Sequence, residues 1–219
     1  MDLGDGSCHR SIGNNSGMKV AVNEFMRADV WCLTELFKIV FDNRFQDRQP
    51  GDQCLISVDC TDCFITEEFP FCALFWSHKF NHAAYKYEIA VCIRTGYIVW
   101  VNGPWPASVA DKQIYETYLA KKLEKDEKVA ADSGYSGCTN VVQPEVAKTW
   151  IQKKQKSQAN GRHETVNGRF KQFNALSNRF YHQCPIKHRS VFVSVVVLTQ
   201  IDFELNGTTF PVQIDGDFK

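Results

Sequence analysis

Two neighbouring strands joined by a tight turn are the feature that most restricts the fold of this chain. From residue 85 to 93, apolar Tyr, Ile and Val side chains alternate with Lys86, Glu88, Ala90 and Cys92. Residues 94–96 (Arg-Thr-Gly) then turn the chain into a second run at 97–101, which predicts a β-hairpin. The Gly-Pro-Trp-Pro stretch at 103–106 is expected to end it.

Two further strands flank this hairpin in sequence. Residues 54–59 are almost continuously apolar, which is typical of a strand covered on both faces. Residues 128–132 form a shorter run that a Ser-Gly-Tyr-Ser-Gly stretch halts. A strand paired with an antiparallel hairpin, then a helical crossover to a parallel strand, predicts an α/β fold with a mixed sheet flanked by helices.

The remaining segments read mainly as helices. We expect a disordered lead at 1–17, a helical N-terminal segment at 18–50, a catalytic domain at 51–212 and a tail at 213–219. Within the domain, helices are predicted at about 109–123, with Ser108 as N-cap, and at about 144–156 and 161–176. The stretch 190–204 is Val-rich, so its composition favours a strand, whereas its spacing also allows a buried helix.

Bulk properties exclude several classes of protein. The chain has 219 residues and is 44% hydrophobic, which suits a globular domain, and no apolar run is long enough for a membrane span. The first 17 residues lack a basic start followed by an apolar stretch, so we expect no secretory signal. Nine scattered cysteines favour reduced thiols in an intracellular protein, although Cys54, Cys60 and Cys63 leave a structural zinc site open.

The zero net charge conceals a strong asymmetry. Residues 145–190 contain ten Lys and Arg against two acidic residues, a local charge of +8, while the remainder holds 15 basic and 23 acidic residues. Such a block indicates a polyanionic partner, or else a solvated helical face.

Three carboxylates stand where a metal site would be expected. Asp59 and Asp132 end the two predicted strands most expected to be parallel neighbours, and Glu164 lies on a predicted helix. Sites in open sheets form beyond the carboxyl ends of parallel strands, and clustered carboxylates need hard divalent cations such as Mg²⁺ or Mn²⁺. For each acid a simpler role also exists: Asp132 precedes Ser-Gly and suits a turn, and Glu164 suits a solvated helix near Lys171.

Helical spacing favours an accessible Glu164. It shares a stripe with Gly168 and Lys171, opposite Val166, Phe170 and Phe173. Candidate DNA-binding residues are His78 and Lys79 in a basic-aromatic cluster with Phe80, together with Lys171 and the i, i+7 pair Arg162 and Arg169. Asp111 is explained by a favourable position in the first turn of its helix.

Six ordered motifs resemble the catalytic domain of DDE-superfamily transposases, and among these they most resemble the Harbinger-type group. They span about 31–212 and lie at residues 58–62 (Val-Asp-Cys-Thr-Asp), 77–80 (Ser-His-Lys-Phe), 87–93, 96–104, 132–135 (Asp-Ser-Gly-Tyr) and 162–171 (Arg-His-Glu-Thr-Val-Asn-Gly-Arg-Phe-Lys).

This resemblance implies a ribonuclease H-like fold with a five-stranded mixed sheet, with Asp59, Asp132 and Glu164 as catalytic metal ligands for two Mg²⁺ or Mn²⁺ ions. It also implies cleavage of double-stranded DNA at transposon ends followed by strand transfer, a helix for 190–204, and a nuclear location. Cys60 departs from the glycine that usually follows the first aspartate, and Gly168 replaces a residue that is commonly basic or bulky.

Two alternatives to an active enzyme remain. Little sequence precedes Asp59 for the DNA-recognition region that such proteins usually carry. An active enzyme would therefore be expected to act with a separate DNA-binding partner protein, and its homo-oligomeric state is left open. The first alternative is a catalytically inactive remnant that binds DNA or protein. The third reading is the zinc module.

Overall fold

A computed structural model describes residues 39–142 and 150–208 of the chain, with the side chains of the second range described from residue 157. The predicted lead at 1–17, the part of the predicted helical segment 18–50 that precedes residue 39, residues 143–149 and the predicted tail at 213–219 lie outside these residues. The described part begins with a 3₁₀ turn at Phe41–Phe45, whose two phenylalanines pack against the sheet.

Within the described residues the sheet has six strands, whereas five were expected. They are β1 (Cys54–Phe64), β2 (Trp76–Ser77), β3 (His82–Cys92), β4 (Ile98–Pro106), β5 (Lys128–Ala130) and β6 (Val141–Val142). The order is β2-β3-β1-β5-β6, with β4 also paired to β3. The pairings of β1 with β3 and of β3 with β4 are antiparallel, whereas β5 pairs parallel with both β1 and β6. The predicted mixed α/β architecture is therefore confirmed, and the two-residue strands β2 and β6 were too short to recognise.

The hairpin β3–β4 is confirmed, but it is longer than predicted. The expectation that residues 103–106 end it is wrong, because β4 runs to Pro106. Among the described residues β4 pairs only with β3, so it is an edge strand. An edge strand tolerates proline because the missing N–H need not face a partner.

In the part of the chain that the structure describes, four α-helices follow or flank the strands. They are α1 (Asp111–Thr117), α2 (Trp150–Phe170), α3 (Asn174–Ser177) and α4 (Pro185–Asn206). The prediction of Ser108 as N-cap is wrong, since α1 begins after Ala110 and a 3₁₀ turn at Leu119–Lys122 follows it. The ambiguous stretch 190–204 lies within α4, which starts with Pro185 and ends before Gly207 at φ 82°. Helix formation there is favoured because Phe192, Val196 and Phe203 fall on one buried face.

Alternation along the central strands creates a hydrophobic core on each face of the sheet. Tyr87, Ile89 and Val91 of β3 pack with α2 and α4, and the ring of Tyr87 stacks on Phe192 with centroids 3.7 Å apart. Ala90 and Cys92 face the other side, toward α1 and the 3₁₀ turns. The result is a three-layer arrangement in which β1 and β3 are covered on both faces.

The same alternation argues against the zinc module. Cys60 and Cys63 are three residues apart on β1, and they belong to the two opposite cores. Cys54 lies in a third small cluster with Ile93 and Ala130. All seven cysteines in the described residues are free thiols. Within these residues, no helix is long and apolar enough to cross a membrane.

Candidate active site

A cleft opens where the parallel pairing of β1 and β5 stops. The last paired residues are Ser57 and Ala130, so in the described structure β1 runs on past Ser57 without a partner on that side. The cleft has a volume of about 610 Å³. It is lined by residues from the middle of β1, the β2–β3 turn, the start of α1, the second position after β5 and the C-terminal half of α2. Asp59, Asp132 and Glu164 all line it.

Asp59 lies in the middle of β1 rather than at its end, which corrects the sequence prediction. The strand continues for five residues beyond it because β3 pairs with residues as far as Phe64. Its carboxylate accepts hydrogen bonds from the Cys60 backbone N–H at 2.8 Å and from Asn167 Nδ2 at 3.2 Å. Burial, with smaller contributions from the negative charges of Asp132 and Asp111, raises the pKa of Asp59 from 3.8 to about 6.

Asp132 is exposed and follows β5 by two residues. Its Oδ1 accepts a hydrogen bond from Gly134 N at 2.8 Å, so it caps the 3₁₀ turn at Ser133–Tyr135. The turn role weighed from the sequence is therefore real, and it holds the carboxylate at the mouth of the cleft. The turn role and a role in the cleft are compatible because a carboxylate has several lone pairs.

Glu164 projects from α2 into the same cleft, together with Asn167, Gly168 and Lys171. The stripe inferred from helical spacing is thus present on one face. Val166 and Phe170 are buried on the other, although Phe173 lies beyond the helix and is 37% exposed. Glu164 is exposed and forms no hydrogen bond or ion pair with another described residue. A Cβ at Gly168 would meet nothing within 4 Å, so this position leaves the cleft open.

A buried contact beside the acids connects their two elements. Ser57 Oγ and His163 Nδ1 lie 3.2 Å apart, two residues before Asp59 and one before Glu164. Burial lowers the pKa of His163 to about 4, so its ring is neutral at physiological pH. This hydrogen bond helps to fix α2 against β1, and therefore Glu164 relative to Asp59.

Two further carboxylates and a lysine belong to the cleft. Lys86 Nζ lies 2.7 Å from Asp111 Oδ1 and donates to the Val109 carbonyl at 2.8 Å. Burial lowers the pKa of Lys86, but the hydrogen bond and charge of Asp111 outweigh this and leave it above 10.5. Asp62 accepts a hydrogen bond from Ser77 Oγ at 2.6 Å.

Sequence reasoning had explained Asp111 by its helix position alone. The first-turn position is confirmed, but the side chain also lines the cleft. The signal that could have revealed this was Lys86, one of two charged residues, with Glu88, in the largely apolar run at 85–93. A buried ammonium ion needs a partner, so an acid close to it in the fold was to be expected.

Negative charge dominates the cleft. Its lining includes five carboxylates, Asp59, Asp62, Asp111, Asp132 and Glu164, against three lysines, Lys79, Lys86 and Lys171. Oxygen donors of this kind are what Mg²⁺ and Mn²⁺ prefer. In the described residues, however, no three His, Cys, Asp or Glu side chains converge closely enough to form a coordination sphere. The donor chemistry thus fits a hard cation, and side-chain rotation would be needed to surround one.

The five predicted DNA-binding residues divide into two groups. His78, Lys79 and Lys171 line the cleft and are exposed. Arg162 is only 2% exposed and donates to the Ile93 carbonyl at 2.8 Å, so the prediction that it grips phosphate is wrong. Arg169 pairs with Asp202 of α4 at 2.8 Å and is absent from the cleft lining, so the two arginines do not straddle one DNA segment.

Cys60, which stands in place of the usual glycine, lines the cleft beside Asp59. Its thiol lies 3.4 Å from Tyr135 Oη, beneath the turn that carries Asp132. Burial raises the pKa of this thiol well above 9, so it stays protonated. The residue therefore supports the turn after β5 rather than acting as a nucleophile.

A comparison with known protein families identifies the family of this chain. A family model described as DDE superfamily endonuclease matches residues 58–200, which is more than half of the chain. The match includes Asp59, Asp132 and Glu164. The search of curated proteins and the search of solved structures each gave no match.

Proposed function

This chain belongs to the DDE superfamily endonucleases, and on that premise we propose that it is a metal-dependent DNA nuclease of the transposase type. Its proposed reaction is hydrolysis of phosphodiester bonds at transposon ends, with joining of the freed strand to target DNA. The observation that supports this most directly is the cleft shared by Asp59, Asp132 and Glu164, which are distant in sequence and lie on three separate elements. Resemblance in the motifs favours the Harbinger-type group.

Asp59, Asp132 and Glu164 are the proposed ligands of two Mg²⁺ or Mn²⁺ ions, with Asp111 as a further carboxylate within the same cleft. When bound, such ions activate a water molecule and stabilise the charge on the attacking and leaving oxygens of a phosphodiester. The raised pKa of Asp59 supports a cation site: it reflects mainly the burial of a carboxylate and, to a smaller extent, the negative charges of Asp132 and Asp111, and a bound cation would offset both.

The protein's own groups orient this carboxylate. The Cys60 backbone N–H and the Asn167 amide hold one oxygen each of Asp59, which limits the rotations open to it. Lys86 neutralises Asp111 from the side away from bulk solvent, so the repulsion among the acids is partly relieved before any ion binds. Because these contacts already hold the carboxylates in place, they need less rearrangement, and therefore less free energy, to surround a charged ligand.

Duplex DNA would approach from the exposed side, where His78, Lys79 and Lys171 can contact phosphates. Such contacts are electrostatic, so affinity should fall steeply with salt. Recognition of a specific transposon end is proposed to come from a separate DNA-binding partner, and action on chromosomal DNA would place the protein in the nucleus.

Plasmid nicking in Mg²⁺ or Mn²⁺ tests the proposal. Asp59→Ala, Asp132→Ala and Glu164→Ala should each reduce nicking by at least 100-fold if the removed ligand is essential, on the order of 3 kcal/mol in the barrier. Glu116→Ala is the matched control, because Glu116 is 47% exposed and lies outside the cleft. Calorimetric titration with Mn²⁺ should show binding to the wild type that each cleft substitution weakens. Nicking that survives all three substitutions would refute the assignment.

A second function is favoured by one observation. Among the described residues, no three acidic side chains are close enough to one another to hold a metal ion. An inactive remnant that no longer binds metal would have the same arrangement. In that case the protein would bind DNA, or another protein, through the basic block at residues 145–190 without cutting DNA. Salt-dependent DNA binding that ignores Asp59, Asp132 and Glu164, with no nicking in either metal, would identify this remnant.

A further inference from the structure

The turn between β2 and β3 carries the aromatic ring of Phe80, which lines the cleft, and hydrogen bonds hold this turn in place. The Asn81 N–H donates to the Ser77 carbonyl at 2.8 Å, and Asn81 adopts φ 56°, a conformation that asparagine tolerates better than most residues. Ser77 is in turn held by Asp62 of β1 through a 2.6 Å hydrogen bond. Phe80, which precedes Asn81, is therefore fixed beside the carboxylates of the cleft.

Phe80 is packed on one side and open on another. Its ring meets Phe64 edge-to-face with centroids 5.6 Å apart, and it lies nearly parallel to the His82 ring at 6.1 Å. The side chain is only half-buried and lines the cleft. A core phenylalanine would be covered on every side, so this ring retains a surface for a ligand.

Two ammonium groups from different elements converge on this ring. Lys79 Nζ and Lys171 Nζ each lie 5.4 Å from its centroid, the first from the β2–β3 turn and the second from just past the end of α2. Within the described residues, neither forms a salt bridge with a carboxylate. Two ammonium groups at one ring, neither held in a salt bridge, form a local positive patch that can contact a phosphate group, although carboxylates line the rest of the cleft.

We infer that Phe80, Lys79 and Lys171 bind one unpaired nucleotide of the DNA substrate, next to the bond that is cut. The base stacks on the Phe80 ring, while its phosphate draws the two exposed lysine side chains off the ring and into charge-assisted hydrogen bonds. A base in an intact duplex has both faces covered by its neighbours, so only an unpaired base can use the ring. The inference rests on the proposed function, since it specifies which part of a DNA substrate the cleft receives.

The test measures binding rather than cleavage. Fluorescence anisotropy in EDTA compares a DNA duplex carrying one unpaired base with the fully paired duplex, using the full chain. Phe80→Leu keeps an apolar side chain against Phe64 but removes the aromatic face, and Phe80→Trp restores one. Phe69→Leu is the matched control, because Phe69 is 96% exposed and does not line the cleft.

Phe80→Leu should weaken binding of the bulged duplex about 5- to 100-fold, from the energy of one base–aromatic stack. Binding of the paired duplex should change by less than about twofold, and Phe80→Trp should bind the bulged duplex like wild type. Lys79→Met and Lys171→Met should each lower the slope of log affinity against log salt by about one, on both duplexes. Thermal unfolding of each variant separates loss of binding from loss of folding.

Equal effects of Phe80→Leu on both duplexes, or no effect on either, would overturn the inference. Failure of the proposed nuclease function gives a different pattern: no nicking in Mg²⁺ or Mn²⁺, with the preference for the bulged duplex still dependent on Phe80. Conversely, metal-dependent nicking in a protein without that preference would retain the nuclease and reject this nucleotide site.

Discussion

Replacing Asp59 with asparagine should stabilise the metal-free protein at high pH and should also abolish the proposed nicking of DNA. The pKa of Asp59 is raised from 3.8 to about 6, so between those values the folded state holds a proton that the unfolded chain has released. The free energy of unfolding of the wild type therefore falls as the pH rises through this window, and the loss is complete above about pH 6.

The size of the effect follows from the shift and the local hydrogen bonds. About two pKa units correspond to about 3 kcal/mol, which partial exposure of Asp59 to water reduces. Asparagine can accept only with its single oxygen, so it also loses either the Asn167 or the Cys60 hydrogen bond, at about 1 kcal/mol. The variant should thus be about 1–2 kcal/mol more stable than wild type at pH 8, and about 1 kcal/mol less stable at pH 4.

Urea unfolding at pH 4 and pH 8 in EDTA measures both differences, and Glu116→Gln serves as an exposed control that should show neither. Added Mg²⁺ or Mn²⁺ should raise the unfolding midpoint of the wild type at pH 8 but leave that of Asp59→Asn almost unchanged, because binding to the folded state alone stabilises it. A variant that is less stable than wild type at both pH values would refute the reasoning that the carboxylate is held at an energetic cost.

Three other substitutions test separate parts of the structure. Glu88 is fully buried and its pKa is raised from 4.5 to about 7 by burial, so the stability of the wild type should fall between those pH values. Glu88→Gln should abolish that fall and gain about 3 kcal/mol at pH 8, and urea midpoints that track wild type at every pH would contradict this. Asn167→Ala should weaken Mn²⁺ binding about 10-fold, because the Asp59 carboxylate loses one of its hydrogen bonds, and should change the free energy of unfolding by less than about 1 kcal/mol. An unchanged Mn²⁺ affinity in calorimetry would show that Asn167 does not orient the carboxylate. Arg162→Met should cost about 2–3 kcal/mol because it leaves the Ile93 carbonyl unpaired, yet keep the salt dependence of DNA binding; a lower salt slope would return this arginine to the DNA interface.

Local sequence patterns were sufficient to predict the elements whose own residues show a regular alternation, a continuous apolar run or helical spacing. The hairpin β3–β4 has strict alternation around a short turn, and the run that became β1 has apolar residues on both faces, so burial could be inferred without knowing the partners. Helical spacing also put Glu164, Gly168 and Lys171 on one stripe, and the structure has all three at one cleft. These inferences depend only on residues within one or two turns of each other.

Other features depend on contacts that sequence spacing does not encode. Asp59 is in the middle of its strand because β3 continues to pair with it. The stretch 190–204 is helical despite its valines because α4 buries Phe192, Val196 and Phe203 against the sheet. Tertiary burial outweighs β propensity there, since propensities differ by only about 1 kcal/mol per residue.

The amino-acid sequence by itself determined the kinds of element, their order and the three acids that the DDE superfamily motifs mark. Only the folded chain decided which charges meet: it brought Asp111 and Lys86 into the cleft, buried Arg162 against the Ile93 carbonyl, and set Lys79 and Lys171 around Phe80. Periodicity reports the direction of a side chain relative to its own helix or strand. What the side chain meets depends on the elements packed opposite, and those are fixed by tertiary structure.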